Sequence, residues 1–507
     1  MFWDSVAWDE KRCAAFAELA LRFGFAGIAH NVTLSGAEVL DLAKHQRGCP
    51  RALRIWPWLP MGDAKRRKAM EATGEEALRL LKEPKAESLA ALRVLKVFKA
   101  GLSELPESIG LCQQLVQLDL GGNALSSFAA IPALPQLEIL FASDTGLAQL
   151  PDLSACPRLR MLGVKDNRLT ALDGDLLPIT LEWLIAAGNQ ISELPNLGRL
   201  GKVRKLMLSH NRLSCAALAP LARIEALEML RVAANCLEAF PEELLSHRRL
   251  AWVAVGGNPF AEEALGRTLA TGAAASLDFS EVTLGPKLGS GAGATVYQGT
   301  WDQRSVAVKI WDAERFSDGT ALTEWGANRV ASSPGHEALV AVLGTFEEPR
   351  GMVLELLPEA KAAGRPPSFA SVTRDAAPVA GDPHWTPGAA KRIAGRVAQA
   401  AEYLHGKGLM HGDIYLHNTL VICTPGAGDG GTEVADCRLS DFGAAAAVDS
   451  EQLRRLEVRA FGWLLQDLVE SGGEGAEMEL LKELRARCGA ADPLQLPSFA
   501  ELAKLLA

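Results

Sequence analysis

Leu181-Glu-Trp-Leu-Ile-Ala-Ala-Gly-Asn189-Gln-Ile191 is one copy of a pattern, LxxLxLxxNxL, that returns along the chain with starts at Leu92, Leu115, Leu137, Leu159, Leu181, Val203, Leu227 and Leu250. Consecutive starts lie 22 to 24 residues apart. Apolar residues at fixed offsets within such a period mean one supersecondary unit per copy, each burying its leucines against the next. The slot eight positions after each start holds Asn123, Asn167, Asn189, Asn211, Asn235 and Asn258, and lapses at Ala100 and Thr145. An amide side chain both donates and accepts, which suits a bend where backbone groups of neighbouring turns need partners.

The period lies within the range of about 20–29 residues that leucine-rich repeats show, so residues 92–260 read as a leucine-rich-repeat solenoid. In such an array short strands stack as a parallel sheet on the concave side, and segments such as Leu105-Pro106, Leu194-Pro195 and Phe240-Pro241 form the other side. The two-residue alternation of a strand turns Phe98, Phe141, Met161, Trp183, Met207, Trp252, Lys165, Lys205 and Arg231 out of the leucine core. Aromatic, methionine and arginine side chains on a concave face suit a protein partner. The alternative is that several of them pack on neighbouring turns or under the N-terminal segment.

Residues 1–91 form a mainly helical N-terminal segment of unknown role. Apolar periodicity predicts helices over 9–23, 35–46 and 63–82, while Arg54-Ile-Trp-Pro-Trp-Leu-Pro60 cannot continue a helix through two prolines. A helical cap over the first repeat is the expectation. Residues 261–276, rich in Ala, Gly and Thr from Leu269 onward, read as a linker.

A net charge of −9 and a pI near 5.6 give no general electrostatic reason to bind nucleic acid or an anionic membrane. The one basic run, Lys65-Arg66-Arg67-Lys68, lies beside Glu71, Glu75 and Glu76 and reads as a solvated helical face. Nine cysteines occur without a CxxC pair, as expected of reduced thiols. No apolar stretch approaches the roughly 18 residues of a membrane span, and the first residues carry Asp4, Asp9 and Glu10 where a secretory signal is basic. The expected location is the cytoplasm.

The second half follows a different logic. Leu288-Gly-Ser-Gly-Ala-Gly-Ala-Thr-Val296-Tyr lies between two β-prone stretches, and Val306-Ala-Val-Lys309 follows on the next. Glycines let backbone approach phosphates, and a strand lysine can pair with them. His411-Gly-Asp-Ile-Tyr-Leu-His-Asn418 places an aspartate five residues before an asparagine, and Leu439-Ser-Asp441-Phe-Gly443 adds a second carboxylate. An aspartate can take the proton of an attacking hydroxyl, while Asn and Asp hold a magnesium ion against ATP phosphates.

Through the glycine loop, VAVK, HxDxxxxN and DFG, residues 277–507 resemble the eukaryotic-like protein kinase superfamily. With the preceding array, the chain resembles leucine-rich-repeat-containing protein kinases with an HGD-type catalytic loop. The resemblance implies a multidomain α/β plus α+β chain: a solenoid followed by a two-lobed protein-kinase-like domain with a shortened activation segment. It implies ATP held by Leu288, Gly289, Ser290, Gly291, Gly293, Val296, Ala307 and Lys309, with the hinge at Leu354, Glu355 and Leu356. Asp413 would be the base. Lys309 would pair with a helix glutamate, assigned by position to Glu324 ahead of Glu314, and Asn418 and Asp441 would hold Mg2+.

Departures from that family pattern are informative. Gly412 stands where many kinases have an arginine that reads activation-loop phosphate, so that switch is not expected. Ala294 replaces the third loop glycine. Tyr415 replaces the lysine usual in serine/threonine kinases, which leaves the hydroxyl preference open. Glu457-Val-Arg-Ala-Phe-Gly462 resembles a long C-lobe helix that usually opens with Asp, only 16 residues after Asp441. No APE motif is present, and the arginine that would pair with its glutamate is absent at Leu496-Pro-Ser-Phe499. Losing both partners avoids a buried unpaired charge. Pro358 to Pro387 and Thr424 to Thr432 read as inserted surface loops.

The leading expectation is an ATP- and magnesium-dependent protein kinase, acting on serine or threonine, with the repeats recognising a protein substrate or regulator. A small-molecule phosphotransferase of the aminoglycoside or choline kinase type is an alternative, disfavoured by DFG and VAVK. A pseudokinase scaffold is another, disfavoured by the retained Lys309, Asp413, Asn418 and Asp441.

Overall fold

A computed structural model describes residues 71–507 except 83, 126–130, 132, 272–275, 292, 380 and 426–430. The helices expected over 9–23 and 35–46 lie outside the described residues. Of the expected helix 63–82, the described part is a strand, Glu71–Thr73, followed by a helix, Gly74–Lys82. That strand matters because it pairs with the strand of the first repeat.

Nine three-residue strands run parallel and in chain order: β1 (Glu71–Thr73), β2 (Val94–Lys96), β3 (Gln117–Asp119), β4 (Ile139–Phe141), β5 (Met161–Gly163), β6 (Trp183–Ile185), β7 (Lys205–Met207), β8 (Met229–Arg231) and β9 (Trp252–Ala254). Among the described residues the sheet therefore includes one strand before the first sequence repeat. The central residues Leu95, Leu118, Leu140, Leu162, Leu184, Leu206, Leu230 and Val253 are all fully buried, as alternation requires of the side facing the core.

The asparagines tie each turn to its neighbours. Asn189 donates from Nδ2 to the carbonyls of Val164 (3.0 Å) and Ala186 (3.0 Å), and its Oδ1 accepts from Leu169 N (3.0 Å). The lapse at Thr145 is covered by its own hydroxyl, which donates to Ala142 O at 3.0 Å, while Asn167 Oδ1 accepts from Thr145 N at 3.1 Å. Ala100 N in turn donates to Asn123 Oδ1 at 2.9 Å. The next turn's asparagine oxygen thus accepts at each lapse as it does at an intact slot, where Asn258 Oδ1 accepts from Asn235 N at 3.1 Å.

The second half contains a five-stranded antiparallel sheet and a helical lobe. Strands β10 (Thr283–Ser290), β11 (Ala294–Trp301) and β12 (Arg304–Trp311) lead to a small hairpin, β13 (Arg315–Phe316) with β14 (Gly319–Thr320). Strands β15 (Val342–Phe346) and β16 (Gly351–Glu355) complete the sheet in the order β10-β11-β12-β16-β15. The helix Ala321–Ala331 starts at a capping box made by Thr320 and Thr323. Helices Pro387–Gly406, Glu457–Ser471, Ala476–Cys488 and Phe499–Leu506 build the other lobe. Pro387 stands at the first turn of its helix, where a missing N–H costs nothing.

The two halves share their cores. Met229, Ala251 and Trp252 belong to the same buried cluster as Ile393, Phe461 and Leu481 of the helical lobe, and Met410, Val448, Leu453 and Leu456 join the cluster of repeat leucines. Three sequence expectations change as a result. The linker over 261–276 is mostly the helix Pro259–Thr271, whose Ala264 and Leu265 pack against Ala327 and Val330. The proline-rich stretch from Pro358 to Pro387 threads inward, burying Val372, Thr373 and Trp385. Its prolines signalled a surface loop, but its few bulky side chains find an interior.

The third change concerns the outward side chains of the array. Phe98 near the start is 48% exposed, whereas Met207, Lys205, Arg231 and Trp252 are buried, Trp252 to 1%. The second half of the chain covers the last turns, so most of that end of the face is not free for a partner. Trp252→Ala should then cost about 3–5 kcal/mol in chemical denaturation, as for other buried Trp truncations, whereas Phe98→Ala should change stability by no more than about 0.5 kcal/mol. Equal, small losses in both variants would contradict the covered face.

Candidate functional site

Backbone register first gathers the residues expected around a nucleotide. Gly289 pairs with Val296 and Ser290 with Thr295, which makes the glycine segment a hairpin end, closed by Gly291 N donating to Ala294 O at 2.8 Å. Leu288 precedes it on β10. Val296 lies opposite Lys309, and Ala307 opposite Leu354, so one sheet carries the hairpin, the lysine and the strand leading to Glu355 and Leu356. Nothing lies within 4 Å of where a Cβ on Gly291 would be, which leaves its backbone open to a ligand. At Gly293 a Cβ would meet Phe316 at 2.8 Å, so the β13–β14 hairpin braces the glycine turn.

Lys309 forms an ion pair with Glu324, whose other carboxylate oxygen accepts from Trp311 Nε1 at 2.9 Å. Glu314 instead pairs with Arg350 at the surface, 2.8 Å apart. Burial alone would lower the Lys309 pKa, but Glu324, aided by Asp441, outweighs it and raises it above the usual lysine value. The ammonium thus stays charged between one carboxylate on the helix and another at the start of the DFG turn. Sequence spacing could not have found Trp311, which fixes the glutamate's second oxygen.

Asp441 stands in left-handed backbone at φ 63°, with its carboxylate exposed apart from a bond accepted from Gly443 N at 3.1 Å. Phe442 is buried against the ring of His411, centroids 5.2 Å apart. Asn418 donates from Nδ2 to Asp413 O (2.9 Å) and Asp413 Oδ2 (3.0 Å). Both donated bonds come from the nitrogen, so the amide oxygen of Asn418 remains a suitable cation ligand. Among the described residues no group of three or more His, Cys, Asp or Glu converges as a metal site. A cation held by Asn418 and Asp441 would complete its shell with phosphate oxygens and water, as magnesium does.

The catalytic-type loop is held from two sides. From below, buried Glu457 accepts from the backbone N–H groups of His411 (3.1 Å) and Gly412, and pairs with His405 at 2.8 Å. Glutamate at the start of the helix Glu457–Ser471, where the family pattern usually has aspartate, thus anchors the backbone of the loop. From above, the repeat sheet reaches in. Arg231 forms an ion pair with Asp413 and donates to Gly412 O at 2.9 Å, and Trp252 Nε1 donates to Ile414 O at 3.2 Å. The Trp252 ring stacks on Tyr415 with centroids 4.9 Å apart and planes 4° from parallel.

Burial pushes the Asp413 pKa up, but Arg231 and then His417 pull it below the ordinary aspartate value. The Asp413 carboxylate is therefore ionised at neutral pH. Lys205, whose Nζ lies 4.1 Å from the centroid of the Trp183 ring, is pushed down by burial to a pKa of about 8. Tyr415, in the slot where a lysine was expected by resemblance, is buried; its hydroxyl donates to Thr373 O at 2.7 Å. The position is committed to packing against the array.

Residues after the DFG turn are tucked in. Ala446–Ala447 pair with Leu409–Met410, and Ser450 caps the short helix Glu451–Arg455 through Leu453 N at 3.2 Å. Arg459 donates to His247 O, Leu250 O (3.1 Å), Ala490 O (3.3 Å) and Ala491 O (3.1 Å), and burial lowers its pKa to about 10. Two of those carbonyls belong to the array.

Residues 282–475 match the protein kinase domain family model. That match supports a phosphotransferase that uses ATP and a divalent metal. No curated protein matches the chain. Among the described residues no helix is long and apolar enough to cross a membrane.

Lys309→Met should abolish phosphate transfer and also destabilise the chain, because it leaves Glu324 buried without its partner, a change that typically costs about 3–5 kcal/mol. Adding Glu324→Gln should recover much of the stability without restoring transfer. Thermal melts and ATP turnover of the single and double variants check this; a single variant as stable as the parent would show that the pair is not buried in solution.

Proposed function

We propose that the chain is an ATP- and magnesium-dependent protein kinase that phosphorylates serine or threonine, joined to a leucine-rich-repeat solenoid that recruits its protein substrate or regulator. The closed Lys309–Glu324 pair beside Asp441 is the observation that carries this reading. A lysine neutralised on one side by a helix carboxylate and facing a second carboxylate is arranged for a triphosphate with its metal. When bound, ATP supplies the phosphoryl group and magnesium offsets its charge. The chain would contribute the open glycine turn, the Lys309 clamp, the ligands Asn418 and Asp441, and Asp413 to receive the hydroxyl proton.

The nine stacked strands, the leucine core and the asparagine ladder support the solenoid reading. With the last turns covered, recruitment would fall to the earlier part of the face, where Phe98 is exposed and the Lys165 side chain is 44% exposed. A cytoplasmic setting fits the seven described cysteines, all free thiols. One observation favours the other acceptor class: the array covers part of the surface beside the catalytic loop, which leaves less room for an extended peptide. A small alcohol would need less.

Incubation with labelled ATP and magnesium should place phosphate on serine or threonine of the chain itself or of myelin basic protein, and Asp413→Asn should remove the label. Label appearing only on small alcohols such as aminoglycosides or choline would move the assignment to that class.

A second expectation concerns control. Between Gly443 and Glu457 the only hydroxyl residue is Ser450, and its oxygen already caps a helix. Phosphatase treatment should therefore change the rate by well under tenfold, about 1.4 kcal/mol in a barrier; a larger fall would reveal a phosphorylation switch.

A further inference from the structure

We propose that Arg231, carried on β8 of the repeat sheet, is a positioning residue of the phosphotransfer site: from outside the kinase-like half it anchors the Asp413 carboxylate and the Gly412 carbonyl and so fixes the catalytic loop. The inference deepens the phosphotransfer reading and rests on it.

The loop cannot hold itself this way. Gly412 has φ 77°, and a Cβ there would run into the Ala444 carbonyl oxygen, so both conformation and space require glycine. Position 412 has no side chain with which to meet the neighbouring carboxylate. Arg231 meets it from the facing sheet. One guanidinium nitrogen binds Gly412 O at 2.9 Å, another binds Asp413 Oδ1, and Nε lies 3.1 Å from Asp318 Oδ1. Asn418 holds the other Asp413 oxygen at 3.0 Å. The base is thus clamped at both oxygens, with its rotamer and the adjacent peptide set by a single planar group. A planar fork can do this where a point charge cannot.

Two readings of such a contact are possible in principle, a blocking plug and a brace, and the surroundings favour the brace. A plug must leave. Arg231 is 3% exposed, and withdrawing the end of the sheet that carries it would also expose Met229 and Trp252, break the stack on Tyr415, and strip Arg459 of the His247 and Leu250 carbonyls. The docked array also coincides with an assembled site. Gly326 packs so closely on Leu265 that a Cβ would lie 2.7 Å from it, and Gly256 at the end of the array abuts Thr323. Those contacts bear on the helix that carries Glu324 while its pair with Lys309 is closed. His210 adds a bond to Phe316 O at 2.8 Å, which steadies the hairpin behind the glycine turn.

The test uses the full chain, with transfer from ATP to myelin basic protein or to the chain itself. Arg231→Ala should lower kcat by roughly 10- to 100-fold, the scale on which misplaced catalytic groups act, with KM for ATP within about twofold of the parent. Guanidinium added at low millimolar concentration should restore part of the lost kcat, because it can refill the vacated place beside Asp413. If Arg231→Ala does not fold, Arg231→Lys decides: it keeps the charge but loses the two-armed grip, so kcat should still fall severalfold at unchanged KM for ATP. Unchanged kcat in the folded variant would overturn the proposal, as would a loss that guanidinium leaves untouched. A rise in kcat would identify a plug. A parent chain that transfers no phosphate would remove the phosphotransfer reading itself, and this inference with it.

Discussion

The burial of Trp252 between the last repeat strand and Tyr415 is the contact on which the arrangement of the whole chain depends. Its ring is 1% exposed and belongs to the cluster that also holds Phe461 and Leu481. A parallel sheet of three-residue strands ends in a face that must be covered, and a helical lobe with a short segment after the DFG turn has a face that must be covered too. Each covers the other. The cluster that joins them resembles a domain core cut in half, the kind of interface found between obligate partners, and this explains why a glycine- and alanine-rich junction contains a packed helix instead of a tether.

Much of this was legible from the residues, and the boundary of legibility has a physical cause. Repetition at 22 to 24 residues and the asparagine slots reveal the stacked strands because each unit repeats the same local contacts. Lys309, Glu324, Asp413, Asn418 and Asp441 could be named from the motif order of the family the sequence resembles. Alternation could say that Arg231 and Trp252 leave the leucine core. It could not say what they meet, since their partners lie 182 and 162 residues away. The strand Glu71–Thr73 was hidden for a related reason: three residues carry no period of their own, and the pairing with Val94–Lys96 supplies the order.

Electrostatics at the seam follows the rule that a buried charge needs a partner. Arg231 bridges Asp318 and Asp413, and Arg204 pairs with Glu228 at 2.8 Å while donating to Thr373 at 3.1 Å. Among the described residues Arg459 has no carboxylate within ion-pair distance; four carbonyls share its guanidinium, and the lowered pKa records the cost of that arrangement. Lys205 sits over the Trp183 ring with its pKa down near 8, a cation held by a π face and by the more distant charges of Asp318 and Asp413.

One surface cannot be both a permanent core and an open docking groove. In this chain the segment after the DFG turn is short, and Met410, Ala446, Val448, Leu453 and Leu456 lie in the same buried cluster as the repeat leucines. The segment after the DFG turn and the array therefore share one core. The same packing brings Arg231 to the loop aspartate, the Pro259–Thr271 helix to the helix carrying Glu324, and His210 to the hairpin behind the glycine turn. On the proposed reading, an acceptor must approach Asp413 along a path bounded by repeat side chains, so the array shapes access to the reacting hydroxyl as well as recruiting its bearer.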